Sequence, residues 1–552
     1  MTNNNFTELE EALKLHYDQK FDKAEKIYEK IINRDENNFN ALYLLGTIKA
    51  QKKKYEDAIF LIRKSLSINQ NNFIALSNLG TIFFNINRYE DAITEFNNSI
   101  LLNPKYSDSY NGLGNVYRKQ KKYLLALINY KKSIRLNEKF FIGHYNIVKL
   151  LLALEKYNWG QIFLDKLIIS YPDNYENYYL QGIIYKRLQK FELAKKSFLK
   201  SIELNPSHEK SYNEIGCLYY FNKDFKNALS YMKKSAKVNP NFKEIYLNIG
   251  IVNLLNENYT EGWKNFCRGK NTKQVISKKP LWTGQLDSKN KKIFIYSEQG
   301  LGDVIQFTRY LFILINYFDK IIFKIPSTLK YLLSGINSLT NNKIELVTDF
   351  EKIDECDFHL PLINLTLFFK EIPTEINYFN IDQKYIVEWS KKLSNKDYKI
   401  GICWKAGKQK EILSSEFATE RSFTLNQFAK IISLDKVMLI NLQKEHEEDQ
   451  KNSYYNKIKI FKEMDIDRPL IDTAAIIMNC NLIITCDTSI AHLAGTLGIK
   501  TFLILNYNNH WVWGVDKNYC RWYKNVKIFR QDKTKSWDEP FNHVYNIVKS
   551  SL

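Results

Sequence analysis

Two stretches of this 552-residue chain set polar, chemistry-bearing residues between an apolar strand and a helix. In the first, Ile293 to Tyr296 gives way to Gly300, Gly302 and Asp303, and Val304, Phe307, Leu311, Leu314 and Ile315 then recur at helical spacing. This reads as strand, tight glycine turn and helix. In a parallel α/β sheet such a turn lies beyond the carboxyl end of a strand, where ligands bind. The two glycines let the backbone approach a ligand closely. In the second stretch, an apolar run from Leu482 is followed by Asp487, Thr488 and Ser489, and then by a helix carrying His492 and the small residues Ala491, Ala494 and Gly495. A helix start rich in hydroxyls and free amides is a place for a diphosphate, because unpaired N–H groups and the macrodipole both favour negative charge. Lys405, Arg421 and Gln443 fall near predicted loop ends and could bind phosphate or a nucleobase. Arg421 suits bidentate phosphate bonds better than Lys405, for which a solvated surface is the competing reading.

The elements that must position these residues alternate strand and helix. After the Gly300 turn come apolar strands at Ile321 to Ile325 and Ile344 to Val347, then Phe358 to Pro361 ending at a loop. A new strand at Lys399 to Trp404 resets the pattern, followed by a polar loop, a helix from Leu425 to Ile432, and strands at Val437 to Leu442 and Thr501 to Leu505. Alternation of this kind is α/β.

The amino-terminal half follows a different rule. Gly46, Gly80 and Gly114 are spaced 34 residues apart, as are Gly182, Gly216 and Gly250; Ala24, Ala58, Ala92, Ala126, Ala194 and Ala228 keep the same register. Pro104, Pro172, Pro206 and Pro240 close the second helix of their units, since proline lacks the amide and restricts the residue before it. The period and pattern resemble the tetratricopeptide repeat. Eight units starting near Asn5 fit, the fifth being degenerate, with Val148 and Gly160 in place of Gly and Ala. Asn78, Asn146 and Asn248 share one position and could bond a peptide backbone on a concave face; an Asn-rich composition is the plain alternative. In the last unit Gly262 and Trp263 change the pattern, marking where the solenoid should dock on the next domain.

Composition narrows the function classes. The net charge is +20, yet it is spread through a chain rich in Lys, Asn, Ile and Tyr without a long basic tract, so no nucleic-acid partner is expected. Seven cysteines without a C-x-x-C pair make neither a disulfide framework nor a zinc site and suit a reducing cytosol. The first ten residues carry no signal-peptide pattern, and Leu311 to Ile325 is too polar to span a bilayer, so the expected location is cytoplasmic, with peripheral membrane contact still open.

Three segments together carry a more specific likeness: Glu298-Gln-Gly-Leu-Gly-Asp303, Asp472-Thr-Ala-Ala475 and Asp487-Thr-Ser-Ile-Ala-His-Leu-Ala-Gly495, with Trp282, Trp511 to Trp513 and Trp522-Tyr523 in support. From Tyr259 onward the chain resembles bacterial tetratricopeptide-repeat proteins bearing a heptosyltransferase-like, glycosyltransferase family 9-like domain. The resemblance implies an α-solenoid followed by an α/β GT-B fold of two Rossmann-like lobes. The expected division is a repeat superhelix at 1–272, a linker at 273–290, an acceptor lobe at 291–395 and a donor lobe at 396–552.

The same resemblance assigns Asp303 as general base, deprotonating an acceptor hydroxyl as it attacks the anomeric carbon with inversion; a helix N-cap is the alternative. It makes Asp487, Thr488 and Ser489 donor-binding, with Gly300 and Gly302, and places His492 to stabilise a leaving diphosphate; a satisfied core histidine is the alternative. Asp465 and Asp467 formally spell a metal-binding carboxylate pair but sit in a polar loop, so no metal is expected. The expected activity is metal-independent inverting glycosyl transfer from a nucleotide-diphosphate sugar, with no cofactor. A protein, peptide or glycan acceptor would dock on the repeats. The alternative is a non-catalytic repeat scaffold with a vestigial nucleotide-binding half.

Overall fold

The computed structural model describes residues 3–552 except 271–276, 286–287, 298–299, 370, 374–377, 395–396, 408–420, 445 and 516, and no side chain before residue 7. Glu298 and Gln299 of the glycine-turn motif, most of the connector after Lys270 and the polar loop before Arg421 therefore lie outside the described residues. The chain divides into two compact units, Met1–Ser211 and Tyr212–Leu552.

Sixteen helices precede the first strand among the described residues and form eight hairpins. The hairpin Phe73–Asn85 with Tyr89–Leu102 shows how each is made. Asn72 caps the first helix by accepting from the Ala75 amide, and Glu90 and Asp91 sit in the first turn of the second, where they complement the helix dipole. A Cβ at Gly80 would stand 2.9 Å from the Phe96 ring, so glycine permits the close approach of the two helices. The other repeat glycines meet the residue sixteen positions on in the same way: Gly114 faces Tyr130, Gly182 faces Phe198 and Gly216 faces Met232. In the degenerate fifth unit the corresponding pair is Val148 and Leu164, both buried in one cluster.

The turn inside every hairpin contains a residue in the left-handed region, at Gln19, Lys53, Asn87, Lys121, Glu155, Gln189, Lys223 and Glu257, with φ between 57° and 64°. None is glycine, so this device follows the 34-residue period without a compositional signal. The repeated asparagines also have defined partners. Asn146 Nδ2 donates to Asn111 Oδ1 at 2.9 Å, Asn248 Nδ2 to Asn213 Oδ1 at 2.9 Å and Asn78 Nδ2 to the Tyr43 hydroxyl at 2.6 Å. Each bond reaches 35 residues back and joins successive units.

The division at 211/212 falls inside the seventh hairpin, whose Cys217, Phe221 and Met232 share one core with the last hairpin and the α/β half. A Cβ at Gly250 would lie 2.4 Å from the Phe266 amide nitrogen, and one at Gly269 would lie 2.1 Å from that of Leu247. These helices therefore pack backbone to backbone. Trp263 then buries its indole edge-on against Trp511 at 5.1 Å and Phe307 at 5.8 Å, in one core continuous with the α/β half.

That half contains two parallel sheets. The first has strands β1 (Lys292–Tyr296), β2 (Lys320–Lys324), β3 (Ile344–Val347) and β4 (Phe358–Pro361) in the order β3-β2-β1-β4. The second has β5 (Tyr398–Cys403), β6 (Val437–Asn441), β7 (Leu482–Thr485), β8 (Thr501–Leu505) and β9 (Val526–Arg530) in the order β6-β5-β7-β8-β9. Every residue of β7 and β8 is buried, as expected for parallel strands covered on both faces. In each sheet the strand order reverses once, between β1 and β4 and between β5 and β7. Crevices for ligands open at the carboxyl ends of such strand pairs. The helix Gln383–Lys392 between the sheets is fixed by Trp389, whose indole donates to Asp472 Oδ1 at 2.9 Å.

Candidate functional site

Both chemistry-bearing turns lie at these reversal points. After β1 the chain enters the helix Leu301–Phe307 through Gly300, with half-buried Asp303 in its first turn. Asp303, Ser297, Phe307, Pro361 and Ile363 line a small pocket between the ends of β1 and β4. The Gly300 backbone has φ −64°, and a Cβ there would find nothing nearer than Asp303 Oδ2 at 3.9 Å. Among the described residues, therefore, no packing contact requires glycine at 300.

Gly302 is different. A Cβ there would stand 2.8 Å from His492 Cδ2, 3.4 Å from His492 Nε2 and 3.6 Å from the Ser489 Cα. The turn carrying Asp303 thus meets the helix Ser489–Thr496 directly. Thr488, the N-cap of that helix, has an extended backbone, and the first bond of the turn runs from the Ala491 amide to the Thr488 carbonyl. The Ser489 and Ile490 amides precede it and are among the donors that a helix start leaves for another partner. The Thr488 hydroxyl lies 3.2 Å from that of Thr485 and 3.7 Å from Cys403 Sγ.

His492 is buried with its ring held on two sides. Nδ1 lies 3.0 Å from the Tyr523 hydroxyl, and the ring lies 4.9 Å from that of Trp513. Gly495 lets Tyr523 come this close, since a Cβ there would enter its ring at 2.6 Å. Burial pushes the His492 pKa down to about 3, against the opposing pull of Asp487. The imidazole is therefore neutral at physiological pH. Nδ1 shares its bond with the Tyr523 hydroxyl, and the Cδ2–Nε2 edge of the ring faces Gly302.

Asp487 is also buried, and its oxygens are engaged within the protein: Oδ1 accepts from the Trp513 indole at 2.8 Å and Oδ2 from Arg421 Nη1 at 3.2 Å. Burial alone would raise its pKa, but Arg421, His510 and the indole outweigh it and hold the carboxyl below its ordinary value. Arg421 Nη2 donates to the Gly407 carbonyl at 2.8 Å, while its buried Nε has no hydrogen-bond partner among the described residues. Asp487 thus acts at this turn by holding Arg421 and Trp513.

The two remaining sequence candidates are committed to protein partners. Lys405 Nζ pairs with Asp449 at 2.9 Å and Glu448 at 3.4 Å, so its charge is already matched. The Gln443 side-chain oxygen accepts from the Lys405 amide at 2.9 Å and shapes the loop after β5. Asp465 accepts from the Thr473 hydroxyl at 2.7 Å and its amide at 3.2 Å, as a cap for the helix Ile471–Met478. Among the described residues no group of three or more His, Cys, Asp or Glu side chains is placed to hold a metal.

Several site neighbours had no sequence signal of their own. Buried Arg309 donates to the Pro373 carbonyl at 3.0 Å and to the Trp522 carbonyl at 2.9 Å, and lies 4.8 Å from the Tyr523 ring. The Tyr378 hydroxyl bonds the Ile305 carbonyl and lies 3.3 Å from that of Thr496. Gln306, one turn after Asp303, and Asn506, one residue past β8, are buried amides with neither polar atom bonded among the described residues. Buried polar groups are nearly always bonded to protein or water, so these two amides stand out in the α/β core.

Comparison with known proteins places the repeats. Models described as tetratricopeptide repeat match residues 107–140, 175–208 and 209–242, a TPR repeat model matches 80–121, and a model of subunit 3 of the anaphase-promoting complex, cyclosome, matches 18–99. The chain is 22% identical over 295 residues to Protein FlbA of Caulobacter vibrioides, covering 49% of this chain and 48% of that one. It therefore spans about half the length of this curated relative. Among solved structures it is similar to a tetratricopeptide repeat protein from Parabacteroides merdae, at 19% identity and TM-score 0.38, covering 45% of this chain and 99% of that one. It is also similar to Pseudomonas aeruginosa PilF, at 21% identity and TM-score 0.34, covering 38% and 96% respectively. The amino-terminal half is a tetratricopeptide-repeat array, followed by a region of parallel sheets. No helix among the described residues is long and apolar enough to cross a membrane.

Proposed function

We propose that this tetratricopeptide-repeat protein is a metal-independent inverting glycosyltransferase of GT-B type, taking a sugar from a nucleotide-diphosphate donor to a protein or glycan acceptor docked by the repeats. Asp303 removes the proton of the acceptor hydroxyl as its oxygen attacks the anomeric carbon, and the diphosphate leaves from the opposite face. The helix start at Thr488 and Ser489 receives the leaving group through its amides and hydroxyls. His492 acts as a neutral donor through Nε2, stabilising developing charge without carrying one. Arg421, held by Asp487, adds positive potential beside the same turn.

One observation carries this reading. The Gly302 backbone, next to Asp303, packs on His492 and Ser489, so the two turns that follow β1 and β7 meet, which supports a donor and an acceptor converging there. Asp465, occupied by Thr473 and 3.6 Å from Lys444, supports a mechanism in which helix ends rather than a carboxylate-held cation meet the phosphates.

A repeat scaffold that binds without turnover is the second reading, and the internal pairing of Lys405 and Asp487 favours it. Thermal-shift measurements with uridine, guanosine and adenosine diphosphates and their sugars separate the two. The transferase reading expects at least one to raise the melting temperature. Asp303→Asn should keep that shift while turnover of the sugar falls by about 10²–10⁴-fold. Unchanged turnover removes Asp303 as base, and no shift from any nucleotide leaves the scaffold reading.

A further inference from the structure

The second helices of the fourth and fifth hairpins, Tyr123–Leu136 and Tyr157–Ser170, expose more large apolar side chains than their neighbours. Trp159, Ile162, Lys166 and Ile169 fall at i, i+3, i+7 and i+10, one helical face. The apolar members are 62%, 51% and 81% exposed. The repeat places equivalent residues side by side: Leu125 is the counterpart of Trp159 and Ile128 that of Ile162, and Leu193 continues the first row into the sixth unit. All three are exposed. In the second and third units the positions of Leu124 and Leu125 are held by Glu56 and Asp57 and by Glu90 and Asp91. Exposed apolar residues also occur at the matching positions Phe60 in the second unit and Leu101 in the third, and they are most numerous in the fourth and fifth.

The surrounding charge is mainly basic, with Glu155 and Glu192 as exposed acids at its edge. The two helices carry Lys131, Lys132, Arg135 and Lys166 against a single acid, Asp165, and exposed Lys122 and Lys156 precede them. Exposed apolar side chains of this size mark an interaction surface. Because they project from the helices, they suit insertion into a soft boundary better than capture of a ligand in a recess. A tryptophan among leucines and isoleucines, bordered by lysines, matches the headgroup and acyl boundary of an anionic bilayer.

We propose that this face of the fourth to sixth repeats docks the protein on a membrane surface containing anionic lipid. The inference is independent of the proposed transferase activity. Co-sedimentation of the full chain with vesicles of phosphatidylglycerol and phosphatidylcholine, and of phosphatidylcholine alone, tests it. The protein should pellet with the anionic vesicles, less with the neutral ones, and less again as salt is raised. Leu125→Glu with Trp159→Glu should weaken anionic-vesicle binding by about tenfold or more. Lys131→Glu with Lys132→Glu should weaken it too, with far-UV circular dichroism unchanged in both double variants. Absence of vesicle binding, equal binding to both compositions, or wild-type binding by folded variants overturns the proposal. So does a wild-type dimer in sedimentation velocity that Leu125→Glu with Trp159→Glu dissociates without any vesicle binding, since a second copy would then cover the face.

Discussion

The repeat hairpins and the two facing turns of the α/β half solve the problem of close approach in opposite ways. In the hairpins one arrangement recurs: a glycine on the first helix admits the side chain sixteen residues on, and a left-handed residue closes the turn between them. Each contact has counterparts in neighbouring units, so exchange at one place changes a local fit. At the facing turns each contact occurs once. Gly302 meets His492, His492 meets Tyr523, Gly495 admits Tyr523, and Asp487 holds both Arg421 and Trp513. The difference teaches that similar small-residue signatures can mark interchangeable packing in one region and a dependent series of contacts in another.

The sharpest test of that contrast is Arg421→Ala, which leaves Asp487 buried beside its indole partner without a counter-charge. Breaking a buried pair in this way costs about 3–5 kcal/mol, to be read from the urea midpoint of the full chain. A cost below 1 kcal/mol would show that the pair is not structurally required.

Acidification tests the same turn through His492. Its folded pKa of about 3 lies below the ordinary histidine value, so the unfolded chain binds the proton first and stability falls as pH drops from about 6.5 towards 3. Between pH 7 and 5 this one group accounts for a loss of about 2 kcal/mol. His492→Gln should flatten the curve over that interval by the same amount. The lowered pKa of Asp487 acts only below the ordinary carboxylate range and does not enter this window.

The repeats themselves supply the smaller effects. Gly182→Ala drives a Cβ to 2.4 Å from the Phe198 ring, an overpacking worth about 1–3 kcal/mol in the melting transition. Gly160→Ala, in the degenerate fifth unit, meets only Ile184 Cδ1 at 3.5 Å and Leu151 Cβ at 3.8 Å. It should stabilise by up to about 1 kcal/mol through helix propensity. Equal effects at the two positions would erase the distinction between a required glycine and a tolerated one.

Most of the repeat geometry was legible because period and residue size are properties of the sequence itself. The strands at Ile344 to Val347, Phe358 to Pro361 and Thr501 to Leu505 were legible as short apolar runs and have the expected bounds. The strand Val526–Arg530, in which Lys527 and Arg530 interrupt the apolar residues, was not read. Neither was the helix Gln383–Lys392, whose purpose is apparent only from the Trp389 bond to Asp472. At the candidate site, the sequence located both turns but not what surrounds them. Tyr523 has its role because it folds onto a histidine 31 positions earlier, and Lys405 loses its freedom to carboxylates more than 40 positions later. Pairings at such distances depend on tertiary contacts that no local spacing encodes. The repeated asparagines, for which peptide docking and plain composition were the two readings, join one unit to the next, because a side-chain amide on a close-packed helix finds its neighbour.

Arg309 sets a rule for motion in the α/β half. Its guanidinium belongs to the first sheet's side of the chain yet donates to a carbonyl at Trp522, in the last crossover of the second, and to one at Pro373. A wide swing of one sheet from the other would strand a desolvated cation, so this one side chain ties the two sheets together.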